Sequence, residues 1–235
     1  MGSRMNVTIV IPTTGADTLY DAVGSALAQV YEDTRVLVVV DGPEFEDRTY
    51  HLLQHYDEDP RLSFMVLPEN VGANGFYGHR VYAAIGHLVN TDYLCFLDQD
   101  NWFDPEHVSS LIDTIERKAL DWAYSYRKIV DKQGQLICED KCESLGKTTN
   151  FVDTNCYMLS RQVAETIGHV WNGKWGQDRV FYDVASKYFP NFDGSGLYTV
   201  NYRLAGNDGS VTKEFFLNGN KHGPVNYISS GASGV

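Results

Sequence analysis

The chain is 235 residues long, enough for one domain with a sizeable core, and its 19 basic against 31 acidic residues leave a formal charge of −12. That balance argues against nonspecific attraction to nucleic acid or anionic lipid, so an anionic ligand would need a local metal or arginine. No apolar run has the length of a membrane span, and residues 7–11 are too short for a signal-peptide core, so a soluble, cytoplasmic chain is expected.

Residues 1–4, ahead of Met5, read as a cloning scar and carry no fold information. Residues 7–11, Val-Thr-Ile-Val-Ile, predict a buried first strand, after which Pro12, Thr13, Thr14 and Gly15 turn the chain out of the sheet. From Asp17, placed as an N-cap, the period changes. Leu19, Ala22, Val23, Ala26, Leu27 and Val30 recur at helical spacing, so an amphipathic helix is expected on the sheet. Residues 35–40 predict a second strand ending in Asp41 and Gly42, and a helix over 44–56 with a strand over 62–67 repeats the unit. This β-α-β order predicts parallel neighbours with right-handed crossovers. Residues 68–75 are a turn-rich loop, and Gly78, His79 and Arg80 open a helix carried by Val81, Ala84, Ile85 and Leu88.

The stretch over 91–102 concentrates the chemistry. Residues 93–97 are almost wholly apolar, as in a strand buried on both faces, and the run ends in Asp98 and Asp100. In open α/β sheets ligands bind at that edge. Two carboxylates so close repel unless a hard cation or ligand hydroxyls lie between them, and a divalent metal with a phosphate partner is the natural reading. The bland alternative, that Asp100 and Asn101 cap the next helix, competes with Asp104 and Pro105, which already announce that cap. Val108, Leu111, Ile112 and Ile115 give that helix its stripe.

The second half changes character. Residues 122–131 and 135–138 predict a hairpin around Lys132, Gln133 and Gly134, followed by a strand over 151–159, helices over 161–167 and 177–188, and a strand over 198–204. The organisation expected is therefore a repeating β-α half of the nucleotide-binding kind over 5–120, a second half of different character over 121–217, and a flexible tail over 218–235. Of Cys95, Cys138, Cys142 and Cys156, the one close pair lacks the second pair or histidines of a zinc site; free thiols are expected, with a single disulfide as the alternative.

Residues 7–13, Ser25 to Tyr31, Val38 to Gly42, Asn70 to Gly72 and Phe96 to Asn101 together resemble, in that order, family 2 glycosyltransferases of the GT-A fold. The resemblance implies a Rossmann-like α/β fold, with a mostly parallel central sheet, helices on both faces and a small antiparallel addition. It implies transfer of a sugar from a nucleotide diphosphate sugar, by default a UDP-sugar, to an acceptor hydroxyl with inversion and with Mn2+ or Mg2+. Pro12, Thr13 and Asp41 would hold the nucleoside, Asp98 the ribose side and Asp100 the metal. Thr14, Arg80 and Gln99 complete the donor-binding candidates. Arg80 opens a helix within reach of a diphosphate, against the alternative of a solvated surface arginine.

The same resemblance puts the catalytic base at Asp178, where Gln177 replaces the family's usual glutamate. At the first turn of a helix the dipole would keep Asp178 ionised and able to take the acceptor's proton. His222 is a candidate third metal ligand. Trp102, Trp122, Tyr124, Tyr126, Trp171 and Trp175 are candidates for sugar stacking, Trp175 foremost. Two alternatives compete: a sugar nucleotidyltransferase, disfavoured because residues 12–15 lack the basic residue of a phosphate loop, and a noncatalytic sugar-nucleotide or glycan-binding module, disfavoured by intact Asp98, Asp100 and Asp178.

Overall fold

The computed structural model describes residues 5–141, 143–144, 149–204 and 212–218. Val7–Thr13 (β1), Thr34–Val40 (β2), Leu62–Val66 (β3) and Tyr93–Phe96 (β4) are parallel, with β2 and β4 on either side of β1 and β3 outside β2. Runs of Val and Ile favour this arrangement because side chains on both faces are covered, and every residue of β1 is buried. The chain continues through Trp102–Phe103 (β5), Trp122–Val130 (β6), Leu136–Asp140 (β7), Glu143–Ser144 (β8), Thr149–Asn150 (β9), Tyr157–Ser160 (β10) and Phe192–Arg203 (β11). The main sheet has the order β3-β2-β1-β4-β10-β6-β11-β5, with β7 paired to β6, while β8 and β9 form a separate two-stranded ribbon. β10 runs antiparallel between β4 and β6, so one sheet carries both halves of the chain.

Helices Leu19–Leu27 (α1), Glu46–Leu53 (α2), His79–Ile85 (α3), His107–Lys118 (α4), Arg161–Ile167 (α5), Gln177–Tyr188 (α6) and Lys213–Asn218 (α7) complete the fold. α3, α5 and α6 gather on the 3-10 turn Gly168–Trp171, and α1 packs with α2. The buried Trp171 lies against Phe181, 4.4 Å between ring centroids, and edge-on to Phe96 and Tyr157, which joins helix and sheet in one core.

Several local expectations are corrected. Asp17 does not cap α1; the N-cap is Thr18, and Asp17 pairs with Arg48 at 3.0 Å on the surface. α1 ends at Leu27, which leaves Val30 exposed, and the short α3 leaves Leu88 exposed. The helix expected over 44–56 is α2 flanked by 3-10 turns at Pro43–Phe45 and Gln54–Tyr56. Asp104 does not cap α4, because its carboxylate accepts from Lys128 (2.5 Å) and Asn201 (2.8 Å); the N-cap is Glu106. The strand expected over 151–159 opens instead with the turn Thr154–Cys156, capped by Asp153, and β11 begins six residues before the expected 198. The hairpin β6–β7, α5 and α6 stand where the sequence puts them. Cys95, Cys138 and Cys156 are free thiols, and Cys142 lies outside the described residues.

Candidate active site

β1 feeds β2 on one side and has β4 on the other, so the chain reverses direction across the sheet at β1, and a crevice opens at the carboxyl ends of these strands. A cleft of about 530 Å³ lies there, and Pro12, Thr13, Thr14, Asp41, Asp98, Gln99, Asp100 and Asp178 all line it. The residues come from β1, the ends of β2 and β4, and the first turn of α6, so only the fold brings them together.

Asp41 follows β2 and is buried. Its two carboxylate oxygens accept hydrogen bonds from Val71 N and Gly72 N, each at 2.8 Å, so it anchors the loop leading to α3. Burial raises its pKa, and those two amides oppose the rise. A side chain at position 72 has no room, since a Cβ there would stand 2.2 Å from Tyr77 O and 2.5 Å from Asp41 Oδ2. Gln99 Oε1 accepts from Thr13 Oγ1 (2.6 Å), Thr14 N (3.1 Å) and Ala16 N (3.3 Å), which ties the loop after β1 to the segment after β4.

Asp98 is held from both sides. Its Oδ1 accepts from Tyr82 Oη at 2.7 Å and its Oδ2 from Asn155 Nδ2 at 2.9 Å, while Asp98 N donates to Asn155 Oδ1 at 2.6 Å. Asn155, fully buried, also donates from its backbone N (3.0 Å) and Nδ2 (2.9 Å) to Asp153 Oδ1, and Arg127 donates to the other Asp153 oxygen and to Asp140 (2.7 Å). A buried polar chain thus runs from β6 to the Asp98 carboxylate. Burial and mutual repulsion push Asp100 up to about 7, and burial first of all raises Asp98.

Arg80 stands apart from the cleft wall; its guanidinium lies 3.5 Å over the Phe76 ring and donates to Val71 O at 3.1 Å. The cleft receives His79 instead, whose Nδ1 donates to Gly173 O at 2.8 Å in the tautomer that pairs the two. Gln177 is likewise turned inward, its amide donating to Val170 O at 2.5 Å. Of the six candidate stacking residues, only Trp175 lines the cleft. Trp122 and Trp171 are fully buried, Trp102 lies under Arg203, and Tyr124 and Tyr126 pack with Phe192 and Tyr198. His222 lies outside the described residues.

Asp178 occupies the first turn of α6, where Arg179 N donates to its Oδ1 at 3.0 Å. Its pKa is raised, chiefly by burial and then by Asp153, with Arg179 and Arg127 opposing. The net shift is upward, opposite in direction to the one that the helix dipole alone would give. Sequence reasoning missed Asn155, Asp153, Arg127, Tyr202, Phe151 and the pair Phe215 and Phe216, all but Asn155 cleft-lining. Arg127 lies mid-strand with no motif around it, and no local pattern distinguishes Asn155 from a turn residue.

The family model for glycosyl transferase family 2 matches residues 8–167, from β1 to the end of α5. The chain belongs to glycosyl transferase family 2. A similar protein is an uncharacterised glycosyltransferase of Nostoc sp., 24% identical over an alignment of 215 residues that covers 86% of this chain and 64% of that protein. S. aureus TarS 1–349 in complex with UDP-GlcNAc has a similar fold, with a TM-score of 0.68 and 15% identity over 88% of this chain and 62% of that one. The complex of the same protein with UDP gives 0.64 and 16% over 85% and 61%. The chain thus spans a little under two thirds of the relatives it matches. These neighbours show that the family 2 chain has the GT-A fold, with its curled mixed sheet. Among the described residues no helix is long and apolar enough to cross a membrane.

Proposed function

We propose that this family 2 chain transfers a sugar from a UDP-sugar to an acceptor hydroxyl, with inversion and with a divalent cation. The observation that carries the reading is the convergence of Asp41, Asp98, Asp100 and Asp178 on one cleft at the carboxyl edge of β1, β2 and β4. In this reading Pro12, Thr13 and Asp41 line the nucleoside end, with Gln99 and Thr14 holding the loop that shapes it. Similarity to a fold that holds UDP-GlcNAc in TarS supports a uridine donor. Free thiols at Cys95, Cys138 and Cys156 suit a reducing compartment, and the cytoplasm is the proposed location.

The donor set fits a hard cation. Among the described residues no group of three or more His, Cys, Asp or Glu side chains is placed to hold a metal, so the protein offers Asp98 and Asp100 and the diphosphate would supply further oxygens, a pattern that suits Mg2+ or Mn2+. Burial first, and neighbouring carboxylates after it, raise the pKa of both residues, and a bound cation would favour their ionised forms. When bound, such an ion neutralises charge developing on the leaving diphosphate. Tyr82 and Asn155 keep the Asp98 carboxylate in one orientation. Asp178 takes the acceptor hydroxyl's proton as the new bond forms, and its raised pKa makes it a stronger base than a solvated carboxylate. Single displacement by a hydroxyl activated in this way inverts the anomeric centre.

A thermal-shift series with UDP-sugars, with and without manganese, tests the reading, because ligands of the native state raise the melting temperature. A rise that requires both nucleotide and metal is expected, followed by glycosidic product in a mass-spectrometric acceptor screen. A shift indifferent to manganese overturns the metal assignment, and the absence of any nucleotide effect overturns the transferase reading.

A further inference from the structure

Arg179 is a cleft-lining guanidinium whose hydrogen-bonding donors no described residue uses. Its side chain is 28% exposed, and the closest carboxylate oxygen, Asp178 Oδ1, lies 3.9 Å from its Nη1, beyond hydrogen-bond reach. Rings fix its place instead: the guanidinium carbon lies 4.8 Å from the Phe151 centroid and 5.5 Å from that of Trp175. The other two arginines of the cleft wall are committed. Arg127 donates to Asp140 and Asp153, and Arg203 donates to Asp21 at 2.7 Å.

The position sets Arg179 apart from the donor end. Arg203 is the cation whose field acts on Asp100, whereas Arg179, together with Arg127, acts on Asp178, the residue assigned to the acceptor hydroxyl. A guanidinium presents parallel N–H donors matched to a carboxylate or phosphate, and stacking on aromatic rings holds it ready. Trp175 beside it lines the same cleft and is 49% exposed, an aromatic side chain of the kind against which a pyranose ring lies. In a chain of net charge −12, an acidic substrate needs such a local cation.

Resting on the transferase reading above, we propose that Arg179 recognises an anionic group of the acceptor, a carboxylate or phosphate ester on a sugar whose apolar face lies against Trp175. A neutral acceptor leaves the fork unpaired, so the arginine also discriminates against it.

The full chain, saturated with UDP and manganese, is titrated calorimetrically with methyl β-glucuronide, glucose 6-phosphate and neutral methyl β-glucoside. Wild type, Arg179→Met and Arg179→Lys are compared, and each is also titrated with UDP alone. Wild type is expected to bind at least one acidic sugar about tenfold or more tighter than the neutral one, as for hydrogen bonds to charged groups. Arg179→Met loses that preference and keeps its UDP affinity, and Arg179→Lys keeps part of the preference because the charge stays while the fork is lost. No preference in wild type, whether all the sugars bind or none, overturns the proposal, as does a preference that survives Arg179→Met. Loss of UDP affinity in Arg179→Met assigns the guanidinium to the donor diphosphate and overturns it too. Failure of wild type to bind UDP defeats the transferase reading itself, and the inference with it.

Discussion

Asp178 and Asn155 carry most of the consequences at the scale of single residues. A base works ionised, and burial raises the Asp178 carboxyl, so its inactive protonated form persists to higher pH than for a solvated aspartate. Transfer should therefore fall as pH drops through an inflection above the ordinary carboxylate value of about 4, read from a pH profile of kcat/KM. Asp178→Asn should keep UDP affinity and lose transfer by about 10²-fold or more; near-parental transfer would assign the base elsewhere. Asn155 touches no solvent, yet its Oδ1 accepts from Asp98 N and its Nδ2 donates to both Asp98 and Asp153. Asn155→Ala should cost about 1–3 kcal/mol in urea unfolding, because buried partners lose their bonds, and should weaken manganese-dependent UDP binding. Unchanged metal-linked affinity by calorimetry would reduce Asn155 to a structural role. Asp98 and Asp100 are legible in the sequence because a strand end announces them. Asn155 and Arg127 are not, since their importance comes from partners 57 residues away for one and 26 for the other.

At the scale of elements, the loop between β3 and α3 is held by a carboxylate rather than by its own turns. Asp41 accepts from two of its amides, Arg80 clasps Val71 O, and Gly72 leaves no space for a methyl group. Gly72→Ala should displace the loop or the Asp41 carboxylate, since backbone at 2.2 Å from the new Cβ cannot remain where it is. A lower midpoint in urea and weaker binding of uridine nucleotides are expected from that variant, and parental values for both would mean that the loop does not shape the nucleoside end. The reading of Arg80 as a diphosphate contact came from its place at a helix start. The fold turns α3 so that His79 lines the cleft and Arg80 fastens the loop.

For the whole molecule, β11 adds a second join between the halves beyond the one that β10 makes, by pairing with β5. It lies inside the sheet between β6 and β5, and Thr199 within it accepts or donates a 2.7 Å hydrogen bond with His107 Nδ1 according to the ring's tautomer. His107 is fully buried on Phe103, 3.8 Å between ring centroids, and burial lowers its pKa from 6.5 to about 3. The unfolded chain takes up this proton below 6.5 and the folded chain does not until about 3, so stability falls as pH drops through that window. The slope is about 1.4 kcal/mol per pH unit where the two states differ by one proton. Asp98, Asp100 and Asp178, with raised values, pull the other way, so the measure is the difference between wild type and His107→Phe in urea unfolding from pH 7 to 4. The variant should lose less stability over that range; parallel curves would show that His107 is protonated in the native state.

The parallel half of the sheet, the strand-end carboxylates, the β6–β7 hairpin, and α5 and α6 are all legible along the chain. Periodicity, β-branched runs and turn residues act over a few neighbours, and those are visible along the chain. The length of β11, the turn of α3 that brings in His79, the burial that raises Asp178, and the buried chain from Arg127 to Asp98 arise in the folded protein alone. Each of these depends on desolvation and hydrogen bonds between residues far apart in sequence, and such energies exist only once the sheet has closed around them.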